Sequence, residues 1–271
     1  MSNIDPQAFR QFEHTGWQEI ASRYDAGFAP VTTQSVRALL DAARVTAGTI
    51  VLDVATGPGY VAAAASARGA VATGIDFSSE MVEEARGRYP GFEFREGDAE
   101  ALDFPDSTFD AVVMNFGMLH LGRPEQALRE AHRVLRPGGR VAFTVWDVPE
   151  KARGFAIVLA AIQKHGDLNV PIPPGPPFFR FSDPEETRRV LEAAGFTNVS
   201  VTHVPQIWRL PSADDLFNVM YHASVRNAAL LRAQKPDVIE KIRMEIRRAV
   251  EESRNELAMP AVLSSGEKQP D

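Results

Sequence analysis

Three aspartates and one histidine stand where their types and spacing suit ligand chemistry. Asp53 closes the apolar run of "TIVLDVATGPGYVAAAA" (residues 49–65), and Gly57 and Gly59 follow it ahead of an alanine-rich stretch. A glycine turn between a strand and a helix suits two ligand classes. A dinucleotide lays its pyrophosphate on the helix N-terminus, and Gly57-x-Gly59-x-x-Ala62 fits that spacing, although such a match alone is weakly specific. S-adenosyl-L-methionine has no phosphate; it carries an amino-acid end, a sulfonium, a ribose and an adenine. A carboxylate in the turn repels a pyrophosphate and suits an ammonium, so Asp53 favours the second ligand. The plainer alternative is a residue that caps the turn. Asp76, in "ATGIDFSSEM", is placed to accept from both hydroxyls of a ribose. Its alternative role is an N-cap, for which Ser78 competes. Asp98, in "REGDAEALDF", can accept from an adenine amino group while the Ala99 N–H faces a ring nitrogen.

His120, in "MNFGMLHL", follows the fourth strand by one short loop. An imidazole there can take the proton of an attacking hydroxyl or amine. It can equally line a pocket, or be a loop histidine satisfied by its neighbours. His132, His203 and His222 have less support. The six histidines are scattered, with no HxxxH or paired-acid spacing, so no metal is expected.

The elements that must position these groups alternate. Residues 1–45 read as helices, with Val36, Leu39, Leu40 and Ala43 at helical spacing. From Thr49, short β-branched runs alternate with helical segments through "GRVAFTVW", which predicts a parallel sheet covered on both faces. A helix "RGFAIVLAAIQKHG", an ordered proline-rich connector "VPIPPGPPFF" and a capped helix "SDPEETRRVLEAAGF" follow. "TNVSVTHVPQIWRL" reads as one strand, "SADDLFNVMYHASV" and "DVIEKIRMEIRRAVEESRNEL" as helices, and "MPAVLSSGEK" as a last short strand. The charges of the last helix read as a solvated face with i,i+4 pairs.

Taken together, "VLDVATGPG", "GIDFSSEM", "GDAEALDFPDSTFD", "MNFGMLHL" and "REAHRVLRPGGRVAFTVW" resemble the five ordered motifs of the class I S-adenosylmethionine-dependent methyltransferases, in particular the UbiE-like small-molecule (type 11) branch. The resemblance covers about residues 45–150 and runs more loosely to the end. It implies a Rossmann-like α/β fold: a seven-stranded, mostly parallel sheet with helices on both faces. It implies one methyltransferase domain over 1–271, with a helical cap at 1–45, a cofactor-binding core at 46–150, the rest of the sheet from 151–210 and 257–271, and a helical insertion or lid at 211–256. It implies that Gly57 and Gly59 let the backbone approach the methionine part of the cofactor. Phe77 and Met81 then border the ribose and adenine, and Asn115 and Phe116 lie beside the sulfonium. Thr56 and Gly97 belong to the same cofactor set. Tyr24 is expected to close over the cofactor, and Trp17 and Trp146 to line the substrate pocket with His120. Ala55 departs from the glycine usual in the family; it is tolerable there if φ stays negative.

Composition narrows the rest. The chain has 271 residues, 44% hydrophobic and 24% charged, enough for one large domain or two small ones. It has no cysteine, which excludes a disulfide scaffold, a thiolate metal site and a cysteine nucleophile. No signal peptide or membrane-spanning stretch is visible, and a net charge of −7 speaks against nucleic acid. The expectation is a cytoplasmic enzyme that transfers a methyl group in line to an O, N or C nucleophile of a small molecule. A non-catalytic S-adenosylmethionine-binding or regulatory protein on the same fold is the alternative. An NAD-dependent oxidoreductase is disfavoured by Asp53 and "GDAEALDF". The acceptor and the oligomeric state are not legible.

Overall fold

The computed structural model describes residues 5–270. Seven strands form the main sheet in the order β3-β2-β1-β4-β5-β9-β6. They are β1 (Ile50–Val54), β2 (Val71–Asp76), β3 (Glu93–Glu96), β4 (Phe109–Asn115), β5 (Leu135–Trp146), β6 (Phe196–Val204) and β9 (Ala261–Lys268). All run parallel except β9, which lies antiparallel to both β5 and β6. Two short strands outside this sheet, β7 (Ile207–Arg209) and β8 (Glu256–Ala258), form an antiparallel ribbon.

Period-two alternation assigns side chains to the two faces. Val51, Ala111, Val113 and Ala142 belong to one core, and Leu52, Val112, Met114 and Phe143 to the other. The first core is covered by α4 (Val36–Ala42), α5 (Tyr60–Ala67) and α6 (Ser79–Arg88). The second is covered by α7 (Pro124–Val134), α8 (Arg153–His165) and α9 (Pro184–Ala193). The N-terminal cap is built from α1 (Pro6–Ile20), α2 (Tyr24–Gly27) and α3 (Ala29–Thr32). Asp5 caps α1 by accepting from Gln7 N and Ala8 N, which fixes where that helix starts.

The expected strand over 197–210 is two strands in two sheets. β6 ends at Val204, and Pro205, which has no N–H for a ladder, separates it from β7. The ribbon clamps the cap: Gln206 Nε2 donates to Val31 O at 2.7 Å, and the ring of buried Trp208 packs, tilted, 5.2 Å from that of Phe28. Between β7 and β8 lie α10 (Asp215–His222), α11 (Arg226–Arg232) and α12 (Pro236–Glu252). The last helix therefore stops five residues before Leu257, the end expected from the sequence, because Arg254 and Asn255 turn with φ +54° and +58° into β8. Ile242, Ile246 and Val250 form its buried stripe, and Arg247–Glu251 and Arg248–Glu252 pair on its outer face. Among the described residues, no helix is long and apolar enough to cross a membrane.

Candidate active site

The carboxyl ends of β1 to β5 open into one cavity, whose space, counted out to the solvent at its mouth, is about 1310 Å³. Its floor is the turn after β1. Ala55 and Gly57 both take positive φ, +54° and +52°. The expectation of a negative φ at Ala55 is therefore corrected. A left-handed alanine costs about 1–2 kcal/mol, and bare Gly117 makes room for it: a Cβ on Gly117 would stand 2.6 Å from that of Ala55. Phe116, at the end of β4, also has a positive φ of +56°. Such strain concentrates where a ligand is held, and both residues line the cavity.

Asp53 and Gly59 do not line it. Asp53 is fully buried beneath the turn, where its Oδ2 accepts from Thr56 Oγ1 at 2.5 Å and from Ala62 N at 3.0 Å. Its position in β1 shares the face of Val51, toward α5, so the carboxylate ties the turn to the helix. These bonds serve the turn as a capping residue does. Gly59 caps α5 with φ +85°, and a Cβ there would meet the Phe94 ring at 2.7 Å. Its bareness serves packing.

Burial pushes the Asp53 carboxyl up to about 7, and Oδ1 has no partner among the described residues. An acid whose folded pKa is raised holds its proton more tightly when folded. Stability from this group is therefore present below about pH 4 and is lost as pH rises through about 7. His132 and His222, both pushed down by burial, act in the opposite sense below their ordinary range. The difference in stability between the protein and an Asp53→Asn variant isolates the aspartate. Denaturant melts should show that difference falling, in disfavour of the natural protein, between pH 5 and pH 8; a difference independent of pH would contradict the burial argument.

Asp76 ends β2 at the cavity wall. Its Oδ2 accepts from Gly57 N at 2.9 Å and its Oδ1 from Ser78 N at 3.0 Å. The N-cap of α6 is Ser78, whose Oγ accepts from Met81 N, so Asp76 is spared that role. Burial raises its carboxyl to about 6 against the pull of these amides. Asp98 accepts from Glu100 N at 2.9 Å and pairs with Arg10 of α1 at 2.8 Å. Thr56, Phe77, Met81, Gly97 and Ala99 line the same part of the cavity.

Asn115 also lines the cavity, yet its side chain is largely engaged. Its Oδ1 accepts from Ser35 Oγ and Thr144 Oγ1, and its Nδ2 donates to Thr32 O. It fastens the cap to the end of β4. The rest of the wall is aromatic. Ring contacts run from Phe116 to Trp146 (4.1 Å), Phe155 (5.5 Å), Phe178 (5.5 Å), His120 (6.3 Å), Trp17 (4.8 Å) and Tyr24 (6.0 Å). The Tyr24 hydroxyl bonds Thr32 Oγ1 at 3.0 Å, and burial pushes its pKa up to about 12.

Sequence reasoning missed two charged residues, Arg226, which lines the cavity, and Glu13, which lies behind the wall. Glu13 of α1 is wholly buried, and its Oε2 lies 2.9 Å from His120 Nδ1. Arg226, the first residue of α11, donates from Nε to Glu13 Oε1 at 2.7 Å. Burial pushes the Glu13 carboxyl up, but His120 and Arg226 outweigh it and hold it below the ordinary range. Arg10, Phe155 and Phe178 are further wall residues outside the sequence-based set.

The donors present fit S-adenosyl-L-methionine. Asp76 and Asp98 are acceptors at the ends of adjacent strands, as vicinal hydroxyls and an exocyclic amine require. A Cβ on Gly57 would meet nothing within 4 Å, which leaves a bare backbone cradle. Among the described residues no cluster of side chains could hold a metal.

Comparisons with known proteins agree with this geometry. Residues 52–143 match the family described as "Methyltransferase domain". The demethylmenaquinone methyltransferase of Clavibacter sepedonicus is 40% identical over 122 residues, 43% of this chain and 50% of that protein. The ubiquinone/menaquinone biosynthesis C-methyltransferase UbiE of Rhodopseudomonas palustris (strain HaA2) is 44% identical over 114 residues, 38% of this chain and 45% of that protein. The chain thus spans about half the length of these curated relatives. In fold it is similar to a Haemonchus contortus phosphoethanolamine N-methyltransferase 2 solved with phosphomonomethylethanolamine and S-adenosylhomocysteine. The TM-score is 0.58 at 17% identity, covering 98% of this chain and 61% of that one. Residues 52–143 of this chain are thus similar to a methyltransferase domain, and the chain shares its fold with solved methyltransferases.

Proposed function

We propose that the protein is an S-adenosylmethionine-dependent methyltransferase acting on a small, flat, largely apolar molecule. One observation carries this reading: a single cavity joins an acid-and-glycine half, at Gly57, Asp76 and Asp98, to an aromatic half, at Trp146, Phe155 and Phe178. The two halves meet at Phe116. A nucleoside-bearing methyl donor and a ring-shaped acceptor can then lie end to end. The names of the relatives point to a quinone-type ring as the acceptor.

The cofactor, when bound, supplies an electrophilic methyl on a sulfonium. The chain supplies position, at an approach of about 3 Å in line with the breaking bond. Its aromatic wall also excludes water, which favours a reaction in which charge is quenched.

Calorimetric titration with S-adenosylmethionine, S-adenosylhomocysteine and NAD tests the reading. The first two are expected to bind with dissociation constants on the order of micromolar, and NAD not at all. Binding of NAD with neither S-adenosyl compound would overturn it. Mass spectrometry of reduced quinones incubated with protein and S-adenosylmethionine then reads the methylated product.

A further inference from the structure

His120, Glu13 and Arg226 come from a short turn, the first helix and the late helical insertion. Nothing in the five motifs requires Glu13 or Arg226. Glu13 is 0% exposed, and both of its oxygens are used, one on His120 Nδ1 and one on Arg226 Nε. Arg226 is held in turn: it donates to Leu119 O at 2.7 Å and Pro176 O at 3.2 Å, and its guanidinium lies over Phe9 at 4.4 Å. The imidazole stands edge to face against Trp17 and Phe178. It is thus fixed in one orientation, on the cavity wall, with Nδ1 tied down. Nε2 has no hydrogen-bond partner among the described residues. The other charged groups around the cavity, Arg10, Asp76, Asp98 and Glu100, lie on its cofactor side.

A network built only to dock the insertion onto α1 needs Glu13 and Arg226. It does not need an imidazole in the aromatic half of the cavity with one nitrogen left open. We infer that His120 is the general base of the reaction, that Glu13 positions it with Arg226 as anchor, and that the acceptor is an aromatic ring bearing a hydroxyl.

This rests on the methyltransferase reading above. Neutral His120 keeps its proton on Nδ1, donating to Glu13 Oε2, and offers the Nε2 lone pair. The acceptor's O–H bond breaks and its proton passes to Nε2. The negative charge spreads over the oxygen and the ring carbons ortho and para to it. The oxygen or an ortho carbon forms the bond to the methyl carbon of the S-adenosylmethionine sulfonium as the C–S bond breaks, and that electron pair stays on sulfur. After attack by carbon, the hydrogen on that carbon leaves as a proton to water and the ring becomes aromatic again. The imidazolium left behind faces the Glu13 carboxylate until it returns its proton to water.

The arrangement makes an unusual demand of Glu13→Gln. Arginine can only donate, so Arg226 retains the amide oxygen, and the amide NH2 must turn to His120 Nδ1. Nδ1 becomes an acceptor and Nε2 takes the proton. The variant keeps every side chain near its place and yet blocks the base.

Nitrogen-15 NMR of the histidine rings, on protein without ligand at a pH where the ring is neutral, reads this directly. The expected result is the Nδ1–H tautomer in the natural protein and the Nε2–H tautomer in Glu13→Gln. Para-nitrophenol added to protein saturated with S-adenosylhomocysteine then reports the proton transfer by its colour. Bound to the natural protein it should ionise at least about tenfold more readily than in water, one pK unit or more, and this gain should vanish in Glu13→Gln and His120→Gln. Both variants should bind S-adenosylhomocysteine as the natural protein does.

An Nε2–H tautomer in the natural protein would overturn the inference. So would equal ionisation in His120→Gln, or no binding of para-nitrophenol to the loaded protein. Failure of the natural protein to bind S-adenosylhomocysteine would instead sink the methyltransferase reading, while the tautomers still decide the role of Glu13.

Discussion

Asp76→Ala is expected to abolish measurable S-adenosylhomocysteine binding, by a factor of roughly a hundred or more. The carboxylate closes the cavity wall at the end of β2 and already accepts from Gly57 N and Ser78 N. Each oxygen keeps a second lone pair for a ribose hydroxyl. Two hydrogen bonds to a charged acceptor contribute about 1.5–3 kcal/mol each, and each 1.4 kcal/mol is tenfold in affinity. Alanine also frees the Gly57 amide, so the cradle loosens as well. Asp76→Asn keeps an acceptor and should lose less.

The pH dependence has a definite sign. Burial puts the Asp76 carboxyl at about 6, and two ribose hydroxyls that both donate to it would require its ionised form. Affinity should be level above about pH 7 and fall about tenfold per unit once pH drops below 6, and in Asp76→Asn this fall should be absent. Calorimetry across pH 5–8 checks both. Undiminished binding by a folded Asp76→Ala protein would move the ribose elsewhere.

The second large effect is one of stability. Arg226→Leu leaves Glu13 fully buried with only His120 beside it, and strips the donors from Leu119 O and Pro176 O. Breaking a buried ion pair by removing one partner costs about 3–5 kcal/mol, or roughly 10 °C in Tm for a chain of this size. Glu13→Leu combined with Arg226→Leu should recover part of the loss, since no uncompensated charge remains. Chemical denaturation of the two single variants and the double variant reads the coupling. Strictly additive losses would mean that the two side chains do not act on each other.

The alternation of strand and helix from 49 to 146 is legible because a parallel strand buried on both faces is written as a short β-branched run. The acids at the ends of β2 and β3 are legible for a related reason: a polar residue that ends such a run has emerged from the sheet. What a carboxylate faces is harder to read. Asp53 has the same type and strand-end position as Asp76, but its parity in β1 sends it beneath the turn to Thr56 and Ala62. The positive φ at Ala55 is accommodated by bare Gly117, far along the chain, and leaves no mark in the local pattern. Pro205 did carry a signal for the break between β6 and β7. Glu13 carried none, because its partners are 107 and 213 residues away. A lone acid on an amphipathic helix reads as surface until the elements that cover it are in place.

The position of β9 has a consequence for how the chain is made. Residues 261–268 fill the slot between β5 and β6, paired on both sides. A chain emerging from the ribosome has completed β5 more than a hundred residues earlier, and β6 has no other neighbour in the sheet. Until β9 arrives, both strands present open edges of the kind that recruit other chains. The whole of the insertion must also be synthesised before that gap can close. This sheet is therefore finished from within, and its last interior strand is where co-translational folding has to wait.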